Sequence, residues 1–280
     1  MQTQLKLPSS SLHKGQNGKL LIIGGSRLFH AASLWSAGAA AHLVDMVFYA
    51  STSENNNFVK TAKANFADGI VVERENVWDY AREADVILLG PGLARGEPKT
   101  QLLQTLLASE QTLTSEQWQD DTYLVTNWLL ARLPEKKYVL DAGALQMLET
   151  QYLTPRCILT PHQLELEVLI HNARERGQMD KLNQATILSK NIVDEVWRDG
   201  RVQARISGGN EGLTKGGSGD VLAGVVAGLY CYNDTLTACE WASQTIKTTG
   251  DILYRDWGPF YTTTQLCERV GKTLWELYRA

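Results

Sequence analysis

The sequence predicts an α/β fold: a central, mostly parallel sheet with helices on both faces and a peripheral antiparallel hairpin. Three features predict it. Short apolar runs such as Lys19–Ile23 and residues 85–89 alternate with longer amphipathic segments, as in strands buried on both faces and joined by crossover helices. Arg198-Asp199-Gly200 separates two apolar runs and reads as a hairpin turn. No linker, internal repeat or low-complexity tract divides the 280 residues, so a single domain over 1–280 is expected.

The elements follow in order. Residues 19–23 form a strand that runs into Gly24-Gly25-Ser26, and the Ala-rich stretch 31–41 suits a helix. Residues 43–49, 69–72 and 85–89 read as further strands, the last two as buried ones. The polar segment 111–121 reads as a loose surface excursion, and 122–133 has helical spacing. Strands at 138–140 and 157–159 end at Asp141 and at Thr160-Pro161-His162. Asp141 stands where it can cap a helix over 142–149. A strand at 186–188 precedes Lys190, the runs 192–197 and 202–206 form the hairpin, and 221–230 is a helix.

Composition narrows the classes. The formal net charge is −4, from 27 Lys and Arg against 31 Asp and Glu, and no long basic block occurs. That argues against nucleic acid as a main partner. The longest apolar run, 221–230, contains two glycines; it is about half the roughly 20 residues a transmembrane helix needs, so no membrane partner is expected. The first eight residues hold no apolar leader core. Cys157, Cys231, Cys239 and Cys267 are scattered without C-x-x-C spacing. They fit a reduced, cytoplasmic protein and give no protein-built metal site.

The chemistry concentrates in Gly209-Asn210-Glu211-Gly212-Leu213-Thr214-Lys215-Gly216-Gly217-Ser218-Gly219-Asp220. Glycines let backbone N–H groups turn inward around an anion, and the helix that follows offers its positive end. An aspartate there repels a phosphate but is well placed to take a proton from a hydroxyl that attacks one. The plainer alternative is a flexible loop with Asp220 as a helix cap. Neither a Walker A nor a G-x-G-x-x-G fingerprint is present. The other strand ends carry Gly24-Gly25-Ser26, Gly90-Pro91-Gly92-Leu93, Asp141 and Thr160-Pro161-His162. In open α/β sheets ligands bind beyond the carboxyl ends of the strands, so these loops are the expected walls of one site.

Together these segments resemble the ADP/ATP-dependent NAD(P)H-hydrate dehydratases of the ribokinase-like superfamily. The resemblance rests on H-K-G-Q-N-G-K-L-L-I-I-G-G-S at 13–26, A-D-V-I-L-L-G-P-G-L at 84–93 and D-A-G-A-L at 141–145. It continues with T-P-H-Q-L-E at 160–165 and G-N-E-G-L-T-K-G-G-S-G-D-V-L-A-G at 209–224. The last is the specific one. Order and spacing match over roughly residues 13–265.

The resemblance implies an enzyme that repairs NADH or NADPH hydrated at C6 of the nicotinamide ring. ADP or ATP phosphorylates the substrate hydroxyl, and phosphate is then eliminated. Asp220 is implied as the base. Ala32, Gly92 and His162 are implied in the hydrated-dinucleotide pocket. Lys190, Asn191, Ile192, Val193 and Asp194, with Gly217 and Gly219, are implied at the nucleotide. Lys215, with the loop amides, is expected to neutralise the transferred phosphoryl. Mg²⁺ is expected to bridge the nucleotide phosphates, and a symmetric homo-oligomer is the default assembly.

Two departures stand out. Many relatives carry Lys-Gly where this chain has Lys190-Asn191, and the Gly-rich segment after the first helix reads Ala41-His42-Leu43-Val44-Asp45. The epimerase domain fused to some members is not expected within 1–280. Two rivals use the same loop: a small-molecule kinase acting on a hydroxymethyl-pyrimidine, a thiazole alcohol or a sugar, and a silent nucleotide-binding regulator.

Overall fold

The computed structural model describes residues 3–61 and 67–280. Met1 and Gln2, part of the stretch read for a leader, lie outside the described residues. One nine-stranded sheet organises the chain. Its strands are β1 (Lys19–Ile23), β2 (Met46–Ala50), β3 (Ile70–Val71), β4 (Val86–Leu89), β5 (Lys137–Leu140), β6 (Cys157–Leu159), β7 (Thr186–Ser189), β8 (Asp194–Arg198) and β9 (Arg201–Ile206). The spatial order is β3-β2-β1-β4-β5-β6-β7-β8-β9. Strands β1 to β7 pair in parallel, and β8 and β9 close one edge antiparallel, as the sequence predicts. Asp199 and Gly200 carry φ of 53° and 69°, the left-handed pair a two-residue hairpin turn requires.

The helices are α1 (His30–Ala41), α2 (Ser53–Thr61), α3 (Val77–Glu83), α4 (Thr100–Ala108), α5 (Ser115–Asp120) and α6 (Thr122–Arg132). They continue with α7 (Ala142–Gln146), α8 (Gln163–Glu175), α9 (Met179–Gln184), α10 (Ser218–Tyr230), α11 (Thr235–Trp257) and α12 (Thr263–Tyr278). Alternation along each strand divides the core in two. Leu20 and Ile22 of β1 join α1, α10, α11 and α12 on one face. Leu21 and Ile23 join α3, α4, α6 and α8 on the other. Each such fully buried Leu or Ile contributes about 1.5–3 kcal/mol. Helix α10 is buried from Val221 to Tyr230, which is why its sequence is apolar all round.

Four expectations need correction. The strand expected at 43–49 begins only at Met46, because Asp45 accepts from the N–H groups of Gly15 and Asn17 and fixes the preceding turn. The strand expected to be buried at 69–72 is a two-residue edge strand with Ile70 exposed. The helix expected over 142–149 ends at Gln146. The excursion at 111–121 holds a helix with a capping box between Thr114 and Gln117, and its Trp118 is buried edge-on to Trp128 at 5.7 Å. The Thr-x-x-Gln spacing was the available signal. Among the described residues no helix is long and apolar enough to cross a membrane. All four cysteines are free thiols.

Candidate active site at the carboxyl ends of the strands

The strand order sets β1, β4, β5, β6 and β7 side by side. The loops read from the sequence as one wall are therefore true neighbours. Their backbones touch: a Cβ on Gly90 (φ +124°) would fall 1.7 Å from the Asp141 carbonyl oxygen. A Cβ on Gly92 would meet the Phe29 carbonyl at 2.5 Å and the Ala32 Cβ at 3.0 Å. Only glycine permits such approaches. The loop after β4 at Gly92 thus packs against the start of α1 at Ala32.

Next along the edge, Asp141 is 2% exposed. It stands at the N-cap position of α7 but makes no side-chain cap there. Its Oδ1 accepts instead from Thr160 Oγ1 at 2.7 Å and from Lys190 Nζ at 2.8 Å. Three adjacent strand ends thereby converge on one carboxylate. Lys190 is aligned by a parallel bridge to His162 and by its N–H donating to the Pro161 carbonyl at 2.9 Å. Burial works against the Lys190 ammonium, but the charge and hydrogen bond of Asp141, with Glu165 and Asp220 adding, raise its pKa above the ordinary lysine value. It stays a cation.

The Gly-rich loop closes over this lysine. Lys190 Nζ lies 3.3 Å from where a Cβ on Gly219 would stand. Gly217 (φ +98°) is the N-cap of α10, and a Cβ there would strike the Trp35 ring at 2.4 Å. Ser218 Oγ donates to the carbonyls of Leu213 and Lys215, fastening the loop to itself. Asp220 falls in the first turn of α10, past the cap position, so the plain reading of a capping aspartate is not what the chain adopts. Its backbone carbonyl accepts from Ser36 Oγ at 2.8 Å, locking α10 to α1. Burial first, and then the like charge of Asp141, push the Asp220 carboxyl up from 3.8 to about 7 against the pull of Lys190. A carboxylate so tuned can both take and hold a proton near neutrality.

A cleft of about 710 Å³ opens beside the Gly-rich loop, with Ile192, Leu213, Leu222 and Ile246 as apolar walls and with Lys190 and Gly219 lining it. Asn191 and Asp194 also line it. The turn between them is held by the N–H of Asn191 donating to Asp194 Oδ1 and that of Ile192 donating to Asn191 Oδ1, each at 2.8 Å. Ile192 is 87% exposed and Val193 stands exposed next to it at the tip. The Asp194 carboxylate is buried and serves its own turn and Ser243.

His162 borders the same cleft. Its Nδ1 accepts from the Glu165 N–H at 3.3 Å while Glu165 accepts from the His162 N–H at 3.0 Å, a capping box on α8 with histidine in the capping role. T-P-H-x-x-E is therefore a helix start as well as a pocket wall. Its Nε2 lies 3.6 Å from Glu165 Oε2, and the side chain is 54% exposed.

Lys215 corrects the sequence reading. Its Nζ donates to the carbonyls of Pro259 and Tyr261 and lies over the Tyr261 ring at 5.3 Å. Two carbonyls and an aromatic face hold that ammonium, so it braces the loop, and the cation beside Asp220 is Lys190. Lys247, not expected from the sequence, lines the cleft from α11 with its ammonium buried. Its signal was a lysine four residues from both Ser243 and Asp251 on a buried helix.

The family model described as NAD(P)H-hydrate dehydratase matches residues 20–270. The chain is 28% identical over 278 residues to the bifunctional NAD(P)H-hydrate repair enzyme Nnr of Methanocaldococcus jannaschii, covering 96% of this chain and 50% of that protein. It is 27% identical over 235 residues to the ADP-dependent (S)-NAD(P)H-hydrate dehydratase of Enterococcus faecalis, covering 79% of this chain and 72% of that one. The chain spans about half the length of the first curated relatives it matches. A ribokinase-like superfamily protein from Enterococcus faecalis shares the fold, with a TM-score of 0.73, 23% identity, and coverage of 98% of this chain and 92% of that one.

Proposed function

The chain belongs to the NAD(P)H-hydrate dehydratase family, and on that premise we propose that it dehydrates (6S)-hydrated NADH or NADPH at the expense of ADP or ATP. The observation that carries the reading is Asp220: a carboxyl raised to about 7 in the first turn of α10, facing Lys190 across a glycine-lined loop. In this reading Asp220 takes the proton of the substrate hydroxyl as its oxygen attacks the terminal phosphoryl of the nucleotide. The P–O bond to the shorter nucleotide breaks and its electron pair leaves with that nucleotide. The Lys190 ammonium and the N–H groups around Gly217 and Gly219 meet the charge on the transferred group.

Elimination follows. The ring nitrogen's lone pair expels phosphate from C6, a proton leaves C5, and the reduced ring is restored. The net reaction converts hydrate and nucleotide into NAD(P)H, the shorter nucleotide and phosphate. Ala32, Gly92 and His162 hold the hydrated dinucleotide. The apolar cleft with Lys190, Asn191, Ile192, Val193 and Asp194 holds the nucleotide.

Among the described residues no group of three His, Cys, Asp or Glu could hold a metal ion. Mg²⁺ carried in on the nucleotide phosphates would keep several waters and need only one or two carboxylates. Asp220 and Asp141 are the carboxylates that would hold it, and the ion would supply neutralisation of phosphate charge. We propose further that it works in the cytoplasm as a homo-oligomer, with small molecules and neither nucleic acid nor membrane as its partners; the free thiols support a reducing compartment and the net charge of −4 argues against nucleic acid.

The test is incubation of purified protein with hydrated NADH, Mg²⁺ and either nucleotide, following the absorbance of the restored ring and release of phosphate in equal amounts. A stable phosphorylated product with no ring restoration would make the protein a kinase and overturn the reading. Binding without turnover would make it a regulator.

A further inference from the structure

Helix α11 carries Ser243, Lys247 and Asp251 at intervals of four residues along its largely buried length. Positions i, i+4 and i+8 share one helix face, and here that face meets two loops. Ser243 Oγ donates to Asp194 Oδ2 at 2.7 Å. Lys247 Nζ donates to the carbonyls of Ile192 at 2.9 Å, Asn191 at 3.2 Å and Gly208 at 3.4 Å, with Asp194 Oδ1 also at 3.4 Å. The Asp251 carboxylate accepts from the Gly209 N–H and from Asn210 Nδ2, each at 3.1 Å.

An ammonium has three protons. Those of Lys247 are directed at three carbonyls, two from the 190–194 turn and one from the start of the 208–215 loop. Its charge is balanced by Asp194, and both side chains are under 10% exposed. The group therefore has nothing left for a phosphate. Its effect on a ligand runs through the backbone it holds. Gly208 and Gly209, at φ of 110° and 80°, are conformations that only glycine adopts freely, so the loop keeps its path only while it is pinned.

We propose that the Ser243–Lys247–Asp251 ridge of α11 is the positioning element of the nucleotide-facing wall, with Lys247 joining the 190–194 turn to the Gly-rich loop. It rests on the reading of this cleft as the nucleotide site. Of the residues proposed to hold the hydrated dinucleotide, Ala32 and Gly92 lie on other elements, and His162, although bridged to Lys190, is fixed by its own capping box with Glu165, so the ridge bears mainly on the nucleotide. Loss of Lys247 thus weakens nucleotide binding selectively.

The test is calorimetric titration of Mg·ATP and Mg·ADP into the full chain and its Lys247→Met variant, with KM for both substrates measured alongside. The expected result is nucleotide Kd and KM raised about 10- to 100-fold, worth one to two decades of affinity, with KM for the hydrate within about twofold. Ser243→Ala, a milder change that removes one hydrogen bond to Asp194, raises nucleotide Kd about threefold. Equal rises in both KM values, or a folded Lys247→Met protein binding nucleotide within twofold of normal, overturn the proposal. If Lys247→Met does not fold, an unchanged Kd in Ser243→Ala overturns it. Wild-type protein that binds neither nucleotide would instead remove the functional reading on which it stands.

Discussion

At the amino edge of the sheet, Lys136 Nζ donates to the carbonyls of Arg82 and Ala84, and Lys137 Nζ donates to the Tyr230 carbonyl at 2.8 Å. At the carboxyl edge, Lys190 Nζ reaches the buried carboxylate of Asp141 at 2.8 Å. Each edge has a hollow. The amino-edge cavity, about 480 Å³, is lined by Arg82, Lys136, Lys137 and Arg156 against Asp85 and Glu135, and by side-chain charge it looks the better anion site. Helix polarity decides otherwise. Helices α3, α6 and α10 end there with Glu83, Arg132 and Tyr230, and helix C-termini carry partial negative charge that the lysines offset. The carboxyl edge receives the start of α10 instead, whose partial positive charge adds to that of Lys190. Counting charges misleads unless the backbone is counted with them.

The largest expected effect breaks the carboxyl edge. Asp220→Asn keeps the side-chain volume and removes the proton acceptor, so turnover should fall by about 10²–10⁴-fold. Nucleotide affinity, measured by titration, should hold or rise as a negative charge departs. Near-normal turnover would reduce Asp220 to a structural residue of the first turn.

Lys190→Met should lower kcat/KM by about 10²–10³-fold, the range for removing one preorganised donor. It also leaves Asp141 unpaired beside Asp220. Lys215→Met should cost less than tenfold in kcat, its ammonium being tied to Pro259 and Tyr261. Steady-state kinetics on both variants decides which lysine meets the phosphoryl, and equal losses would merge the two roles.

The pH dependence carries a definite sign. With its carboxyl at about 7 in the fold, Asp220 must be ionised to act, so kcat/KM should fall about tenfold per pH unit below about 7. Stability runs the other way. Unfolded, the group titrates near 3.8, so folding takes up a proton between those values and stability is lost as pH rises from about 4 through 7. Asp220→Asn should therefore raise the unfolding temperature of the ligand-free protein more at pH 8 than at pH 5. A gain independent of pH would show that the carboxyl is not held in this environment.

The smallest effect belongs to the amino edge. Lys137→Met should leave kcat/KM within about twofold while costing about 1 kcal/mol, or about 2–4 °C in Tm, for the uncapped end of α10. A loss of activity without loss of stability would give that edge a role in binding.

Much of this arrangement was readable along the chain. Apolar alternation located the strands, Asp199-Gly200 the hairpin, and the glycines at 217 and 219 the loop over α10. These depend on φ, ψ and periodicity, which neighbours in sequence largely set. The partners of Asp141 and of the two loop lysines were not readable. Asp141 looked like a cap and Lys215 like the phosphate cation, because both roles fit their local sequence. The packing gave Lys215 to Tyr261 and Pro259, and gave Asp141 to Thr160 and Lys190.

What the sequence by itself determined is the list of strands, four of the helices and the edge at which polar loops collect, since each is written in spacings shorter than about ten residues. Which cation faces Asp220, and that its carboxyl rises to about 7, only the tertiary structure decided. Both depend on β5, β6 and β7 lying side by side and on α10 packing across β4 and β5. Burial and Coulomb energy depend on distance in space. The 79 positions separating Asp141 from Asp220 carry no information about it.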